Sequence, residues 1–472
     1  MPAETARVPA EIVRMPAETC PMLIERGNPY AAGAPEVLHL GWDDFRFSVS
    51  PANRAAMGRR ARWTVLLYLA ADCDLARWMF DDLLEAKSAG SSADVNVLVF
   101  FDGPLLGDSF MARLQAGTSL GDDLIVRFLE LNMADPAALV MALRLAQAFP
   151  TDHRLAVLGG HGAGWQGGLL DQGLGLRYTR DPGRLVLPAP FAQCQAELRR
   201  CQQAAQDLVN ADTVRPAEGA DVHLDVLAFD ACYMGNLEAV GGLAERARWM
   251  VLSEDQWPGD GFDYRTLLRT LHDDPAITPE ALVRGWVGQA GRVRRQRAPH
   301  DTSVTLAAID ASRLAPLGDA FVRFAQSIDL RDADLLGHLT DALARTWTSP
   351  STGLTDLKGL AQNLMSCPVP LACAEAARVL LQRFDETVVA FTGDGTPAGT
   401  NGLSIYAPPP QAFDPRYIAL ANTLPFGLGV WAWVLGGYYL HALGREAPAH
   451  PLIQALHATM QAAAQAGDRR PA

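Results

Sequence analysis

Cysteine is scarce in this chain: seven in 472 residues, an odd number with no CxxC pair. That excludes a disulfide framework and describes reduced thiols in a cytosolic compartment, most of them core filler, with room for one reactive member. Basic residues are also in deficit, 40 against 53 acidic ones. The resulting charge of −13 argues against a protein that lives on nucleic-acid phosphates or anionic lipid. The first twenty residues carry acids and prolines and lack the apolar stretch of a signal peptide. Charged residues make up only 20 % of the chain while 49 % is apolar, so a large core can be buried. One uncharged stretch, between Arg416 and Arg445, imitates a membrane span. Its segment 426–443 holds four glycines and follows Pro425, which predicts a buried or interface helix instead.

What is present is an alternation. Residues 1–60 stand apart as an extension, with Met1-Pro-Ala-Glu-Thr repeated at Met15–Thr19. From Trp63, nearly continuous apolar runs at Thr64–Ala70, Asn96–Phe101, Leu155–Gly159, Val226–Phe229, Met250–Leu252 and Val304–Ile309 predict strands covered on both faces. Between them Leu75–Ala89, Pro136–Ala148 and Asn236–Ala247 have helical spacing. Such an order implies an α/β fold with a largely parallel sheet and helices on both sides. The expected organisation is a core over 61–275, broken by a long insertion at about 171–224, and then helical and strand elements over 276–472 that complete or flank it. A further strand is expected at Leu403–Ala407.

Ligand sites on parallel sheets gather beyond the carboxyl ends of the strands. Two strand ends carry notable residues: Gly160-His161-Gly162-Ala163-Gly164-Trp165, and Asp230-Ala231-Cys232-Tyr233-Met234-Gly235. If the strands are neighbours, thiol and imidazole face one cleft, the requirement for nucleophilic catalysis. A thiol in a strand-to-helix turn is also expected to feel the helix's positive end, which favours the thiolate. Asp230 lies two residues before the thiol, so its carboxylate shares a strand face with it.

These runs, with Trp63–Asp72, Asn132–Pro136, Ser253-Glu254-Asp255, Pro258–Gly261 and Gly402–Tyr406, resemble clostripain-type cysteine peptidases over about residues 62–410. The resemblance implies a caspase-like α/β/α sandwich. Cys232 would be the nucleophile, His161 the acid/base, and the N–H groups of Gly162 and Cys232 the oxyanion hole. Asp230 would sit at the base of a pocket for substrate arginine or lysine, or else be a structural acceptor for turn amides. Ser253, Glu254, Asp255 and Trp257 would wall that pocket, or form an ordinary polar loop. The family's zymogens are commonly cut between the His and the Cys, and Arg177, Arg180 and Arg184 are the candidate points, cleaved by the enzyme itself or by an upstream protease. The expected partners are protein or peptide substrates with Arg or Lys at the cleavage site. The sequence requires no metal or cofactor; calcium enters only through the family, and pairs such as Asp122-Asp123 are too common to assign as ligands. Two departures stand out: Asp72-Cys73-Asp74 replaces the more usual Asp-Asn-Asp, with Cys73 read as incidental or redox-active, and Tyr233 follows the nucleophile.

Two other classes compete. Gly117-Thr118-Ser119-Leu120-Gly121 fits the serine-hydrolase GxSxG pattern, but a strand-like run follows it where a helix is needed. A catalytically dormant binding or regulatory module of the same fold is the stronger rival.

Overall fold

The computed structural model describes residues 20–22, 38–40, 50–104, 108–128, 131–134, 136–169, 223–297, 304–394, 399–421 and 423–467. Most of the 1–60 extension, the 171–222 part of the insertion, and Arg177, Arg180 and Arg184 lie outside the described residues.

Nine strands form one sheet: β1 (Ala61–Ala70), β2 (Val95–Asp102), β3 (Ser109–Arg113), β4 (Leu124–Phe128), β5 (Thr151–Gly159), β6 (Leu224–Asp230), β7 (Ala247–Leu252), β8 (Val304–Asp310) and β9 (Val388–Asp394). Their order is β9-β8-β7-β6-β5-β1-β2-β3-β4. The central five, β7 to β2, are parallel; the two strands at each edge run antiparallel to their neighbours. Every strand expected from an apolar run is present.

The sequence of β1 explains the layering. Leu66, Tyr68 and Ala70 enter one core, shared with the helices Pro136–Ala146, Leu237–Gly242 and Leu314–Gln326. Trp63, Val65, Leu67 and Leu69 enter the other, shared with Ala76–Ala89, Tyr264–Asp273 and Pro279–Arg297. Alternate residues point to opposite faces, so a strand buried on both sides must be apolar nearly throughout. The result is the expected α/β/α sandwich.

Two local expectations need correcting. The helix after Cys232 runs only over Leu237–Gly242, because Gly241 and Gly242 are poor helix formers and β7 begins at Ala247. The strand expected at Leu403–Ala407 spans Ser404–Tyr406 and does not join the large sheet; it pairs antiparallel with Leu354–Asp356. Glu238 ties this small sheet to the core: fully buried, it accepts from Tyr406 N (2.9 Å) and the Tyr417 hydroxyl (3.1 Å). Burial pushes its carboxyl up to about 7.

The aromatic C-terminal stretch forms the helix Val430–Leu443 with Trp431, Leu435 and Tyr439 buried. Trp431 Nε1 donates to Tyr406 O (2.8 Å) and the Tyr439 hydroxyl to Pro408 O (3.0 Å). Among the described residues no helix is long and apolar enough to cross a membrane.

Candidate active site

The last residues of β5 and β6, Gly159 and Asp230, lie opposite each other in the parallel ladder. His161 and Cys232 each follow two residues later, and Gly160 N donates to Asp230 O (3.2 Å). On the other side Gly159 pairs with Leu69 of β1, which brings Asp72-Cys73-Asp74 beside His161. The chain leaves β1 towards β2 on one side and returns to β5 on the other, so these loops open at a topological switch point.

His161 is only partly covered, and its Nε2–H donates to Asp74 Oδ1 at 2.6 Å. That bond, first among its causes, holds the Asp74 carboxyl below the usual range. With Nε2 engaged, Nδ1 is the nitrogen left for a thiol or a leaving amine. The loop is fastened behind the ring. Leu169 N and Ala163 N donate to His161 O and Gly167 O (both 2.7 Å), and these two bonds do not use the Gly162 N–H. Trp165 is buried edge-on against Tyr406 and Tyr417, with centroids 4.9 and 5.2 Å away. Gly162 packs against the backbone of Cys232: a β-carbon there would overlap Cys232 O and lie 3.0 Å from Cys232 C and N. Only glycine allows the two loops to approach so closely.

Cys232 is half-buried, and its sulfur is clasped by one residue. Trp257 N donates to Sγ at 3.2 Å, while Sγ donates to Trp257 O at 3.5 Å. Burial pushes the thiol up. The Trp257 N–H opposes that, and the carboxylates of Asp255 and Asp230 add to it. The expected help from a helix terminus is therefore not what sets this thiol. The helix starts five residues later, and the Asn236 side chain already accepts its Ala239 N–H (3.0 Å). Between them Tyr233 takes a left-handed φ of 62°, held by Tyr233 N donating to Asp255 O (3.0 Å) and by its hydroxyl on Ser351 (2.8 Å). Such a conformation is costly for a bulky residue and persists only where its surroundings fix it.

The remaining expected residues divide. Asp230 is buried, and its Oδ2 accepts from Phe262 N (3.1 Å) and the Tyr264 hydroxyl (2.6 Å), so it also serves as the turn acceptor considered above. Asp255 is half-buried and Trp257 partly exposed; the backbone of Trp257 holds the sulfur, and the Asp255 carboxylate acts on it through its charge. Ser253 and Glu254 do not wall an open pocket, because both are fully buried. Ser253 bonds the Thr305 hydroxyl (2.6 Å) and Asp255 O (3.1 Å), and Glu254 interacts with Asp356. Trp257 also borders a cavity of about 150 Å³ lined by Phe262, Leu267, Leu282, Trp286 and Arg294.

Two residues of the site, Asp82 and Asp74, escaped the sequence reading, and a third, Cys73, was noted without its place beside His161. Asp82 and Asp230 both reach Gly261: a β-carbon there would lie 2.9 Å from Asp82 Oδ2 and 2.7 Å from Asp230 Oδ2. The signal for Asp82 is an acid at an apolar-stripe position, with Met79, Leu83 and Ala86, all buried. Asp74 is the acceptor for His161. Cys73, read as incidental or redox-active, is buried in the site, and its sulfur, the Asp74 carboxylate and the imidazole lie within 4.8 Å of one another. Ser119 of the GxSxG pattern instead caps the four-residue helix Leu120–Asp123 and donates to Asp122 Oδ2 (2.9 Å). Asp123 is paired with Lys87 (2.8 Å).

The model of the clostripain family (peptidase C11) matches residues 67–174 and 199–370, more than half of the chain. Among solved structures, an inactive zymogen C11 protease from Parabacteroides distasonis superposes with a TM-score of 0.54 at 17 % identity, covering 78 % of this chain and 97 % of that one. The secreted C11 cysteine protease iotapain from Bacteroides thetaiotaomicron gives 0.51 at 15 % identity, covering 74 % and 93 %. No curated protein matches the sequence. The fold likeness agrees with the family match, and the chain belongs to the clostripain family of cysteine peptidases.

Proposed function

We propose that this peptidase cuts protein or peptide chains internally after arginine, with lysine second, and is latent until the chain is cleaved between His161 and Cys232. The observation that carries the reading is the placement of His161 and Cys232 two residues beyond paired strand ends, with the Asp230 and Asp255 carboxylates acting on the same sulfur.

In this reading Cys232 gives its thiol proton to His161 Nδ1, and the thiolate attacks the scissile carbonyl carbon. The oxyanion is held by the Gly162 and Cys232 N–H groups, dipoles already in place where charge develops. His161, steadied at Nε2 by Asp74, passes a proton through Nδ1 to the leaving amine, giving a thioester. It then takes a proton from the water that hydrolyses that ester, and the thiolate leaves. Asp255, half-buried, is the carboxylate open to a substrate guanidinium; Asp230, deeper and held by Phe262 N and Tyr264, supports the pocket floor. A planar guanidinium pairs with two carboxylate oxygens where an ammonium meets one point, hence the order of arginine over lysine.

Two observations support latency. Cys232 is hydrogen-bonded to Trp257 on both its donor and acceptor sides, and its thiol is pushed up by burial, unlike an activated nucleophile. The Parabacteroides distasonis relative is itself an inactive zymogen. Arg177, Arg180 and Arg184 are the proposed points of activation, cut by the enzyme itself or by an upstream protease. The scarcity of cysteine supports a cytoplasmic place of work. The same clasped thiol favours a second reading, a dormant module that binds partners without chemistry.

The test is hydrolysis of fluorogenic Arg, Lys and Asp peptides by wild type and Cys232→Ala, before and after limited trypsin treatment with the trypsin then inhibited. Arg-selective turnover that appears after treatment and vanishes in the variant is the expected result. Asp-selective turnover would remove the pocket assignment and keep the dyad. No turnover in any state would leave the dormant module.

A further inference from the structure

At the ends of β1 and β5 the chain departs from its family's pattern and gathers a second group of ligand atoms. Cys73, standing where the resemblance leads one to expect asparagine, is 6 % exposed, its N donating to Ala71 O (2.8 Å) and its sulfur to Ala70 O (3.5 Å). That backbone anchoring fixes the sulfur towards the site. One atom each of Cys73, Asp74 and His161 lie within 4.8 Å of one another, and the three residues come from two loops held in register by the β1–β5 ladder.

We propose that Cys73, Asp74 and His161 form a binding site for a zinc-class divalent cation, and that filling it withdraws His161 from catalysis. A thiolate, an imidazole and a carboxylate together suit a borderline-soft metal and not calcium or magnesium, which take oxygen ligands. Three protein ligands leave a fourth tetrahedral position for water. With metal–ligand bonds of about 2.0–2.3 Å, tetrahedral ligand atoms lie roughly 3.3–3.6 Å apart. The present spacing needs small adjustments to reach that, and the Asp74 side chain, 75 % exposed, has room to make them.

Binding exchanges protons for metal. Cys73 gives its thiol proton to solvent and binds as thiolate, Asp74 binds as carboxylate, and the neutral imidazole binds through Nε2 with its one proton on Nδ1. An imidazole in that state has no lone pair for a thiol proton and does not readily release the proton it holds, so it serves neither as base nor as acid. The inhibitory consequence rests on the peptidase reading above; the metal site itself does not.

The experiment uses the full chain with Zn²⁺ or Co²⁺ as the probe, in wild type, Cys73→Ala, Asp74→Asn and Cys232→Ala. Cobalt bound by a thiolate shows a sulfur-to-metal charge-transfer band. The proposal expects that band, with one ion per chain, in wild type and in Cys232→Ala. It expects no band in Cys73→Ala and binding at least about tenfold weaker in Asp74→Asn, whose exposed side chain keeps the fold intact. In the peptidase assay, chelator-reversible Zn²⁺ inhibition should need at least about 100-fold more metal in Cys73→Ala, each protein being referred to its own turnover in metal-free buffer. A band that survives in Cys73→Ala, or disappears in Cys232→Ala, would place the metal on the catalytic thiol and overturn the proposal. A Cys73-dependent band in a protein that turns over no peptide would support the metal site and count only against the peptidase reading.

Discussion

Replacing Gly162 with alanine tests the site through a single methyl group. The added β-carbon would overlap the Cys232 carbonyl oxygen and meet Cys232 C and N at 3.0 Å. These are backbone atoms, which cannot swing aside as a side-chain tip can. Relief therefore means moving the His161 loop and the Cys232 loop apart by on the order of an ångström, a displacement that alone costs about 100-fold in rate. It also spoils one of the two proposed oxyanion donors, worth about 2.7–4 kcal/mol, or 10²–10³-fold in kcat. Stability should fall by about 1–3 kcal/mol, as for overpacking elsewhere. Gly168 supplies the control in the same loop: a β-carbon there meets Met234 Sδ at 3.5 Å, ordinary contact, so Gly168→Ala should be nearly neutral. The assay is kcat and KM on an arginine peptide after activation, with calorimetric unfolding of both variants. A Gly162→Ala enzyme within threefold of wild type, with an unchanged thermal transition, would refute the packing argument.

Two further outcomes are expected. Asp255→Asn removes one of the charges that push the Cys232 thiol up; iodoacetamide should then modify Cys232 faster at neutral pH, with the inflection of its pH–rate curve moved lower, and an unmoved curve would show that the Asp255 charge does not act on the thiol. Glu254 and Asp356 are both raised, chiefly by burial, Asp356 to about 6. Acids that hold their protons more tightly when folded stabilise the protein at low pH, and that contribution fades as pH climbs from about 4 through 6. The thermal transition should therefore decline over that range in wild type and decline less in Glu254→Gln, as read by calorimetry at several pH values.

How much of this was legible in the sequence follows from where each signal resides. The central strands were readable because a strand covered on both faces is apolar at nearly every position, as Trp63–Ala70 is apart from Thr64. His161 and Cys232 were readable because each sits in a glycine-bearing turn at a strand end. The Trp257 clasp on the sulfur was not, since backbone N–H and C=O groups are the same for every residue. Nor was the Glu254–Asp356 pair, which joins positions 102 residues apart through packing alone. The shortened helix after Asn236 was overcalled because apolar spacing outweighed Gly241 and Gly242. Cys73 was visible as a departure from the family pattern, but its proximity to the imidazole depends on the β1–β5 register, and spacing along the chain does not encode that.

The parallel pairing of β5 with β6 has one more consequence. Five registered pairs, from Leu155 with Val226 to Gly159 with Asp230, join the half of the molecule bearing His161 to the half bearing Cys232. Covalent connection between the two strands adds an effective concentration to this joint. The protein can therefore be treated as a heterodimer made as one chain. Residues up to 169 and from 223 onward, produced as separate polypeptides, would meet by strand addition in the middle of a sheet, and their assembly would depend on concentration where that of the intact chain does not.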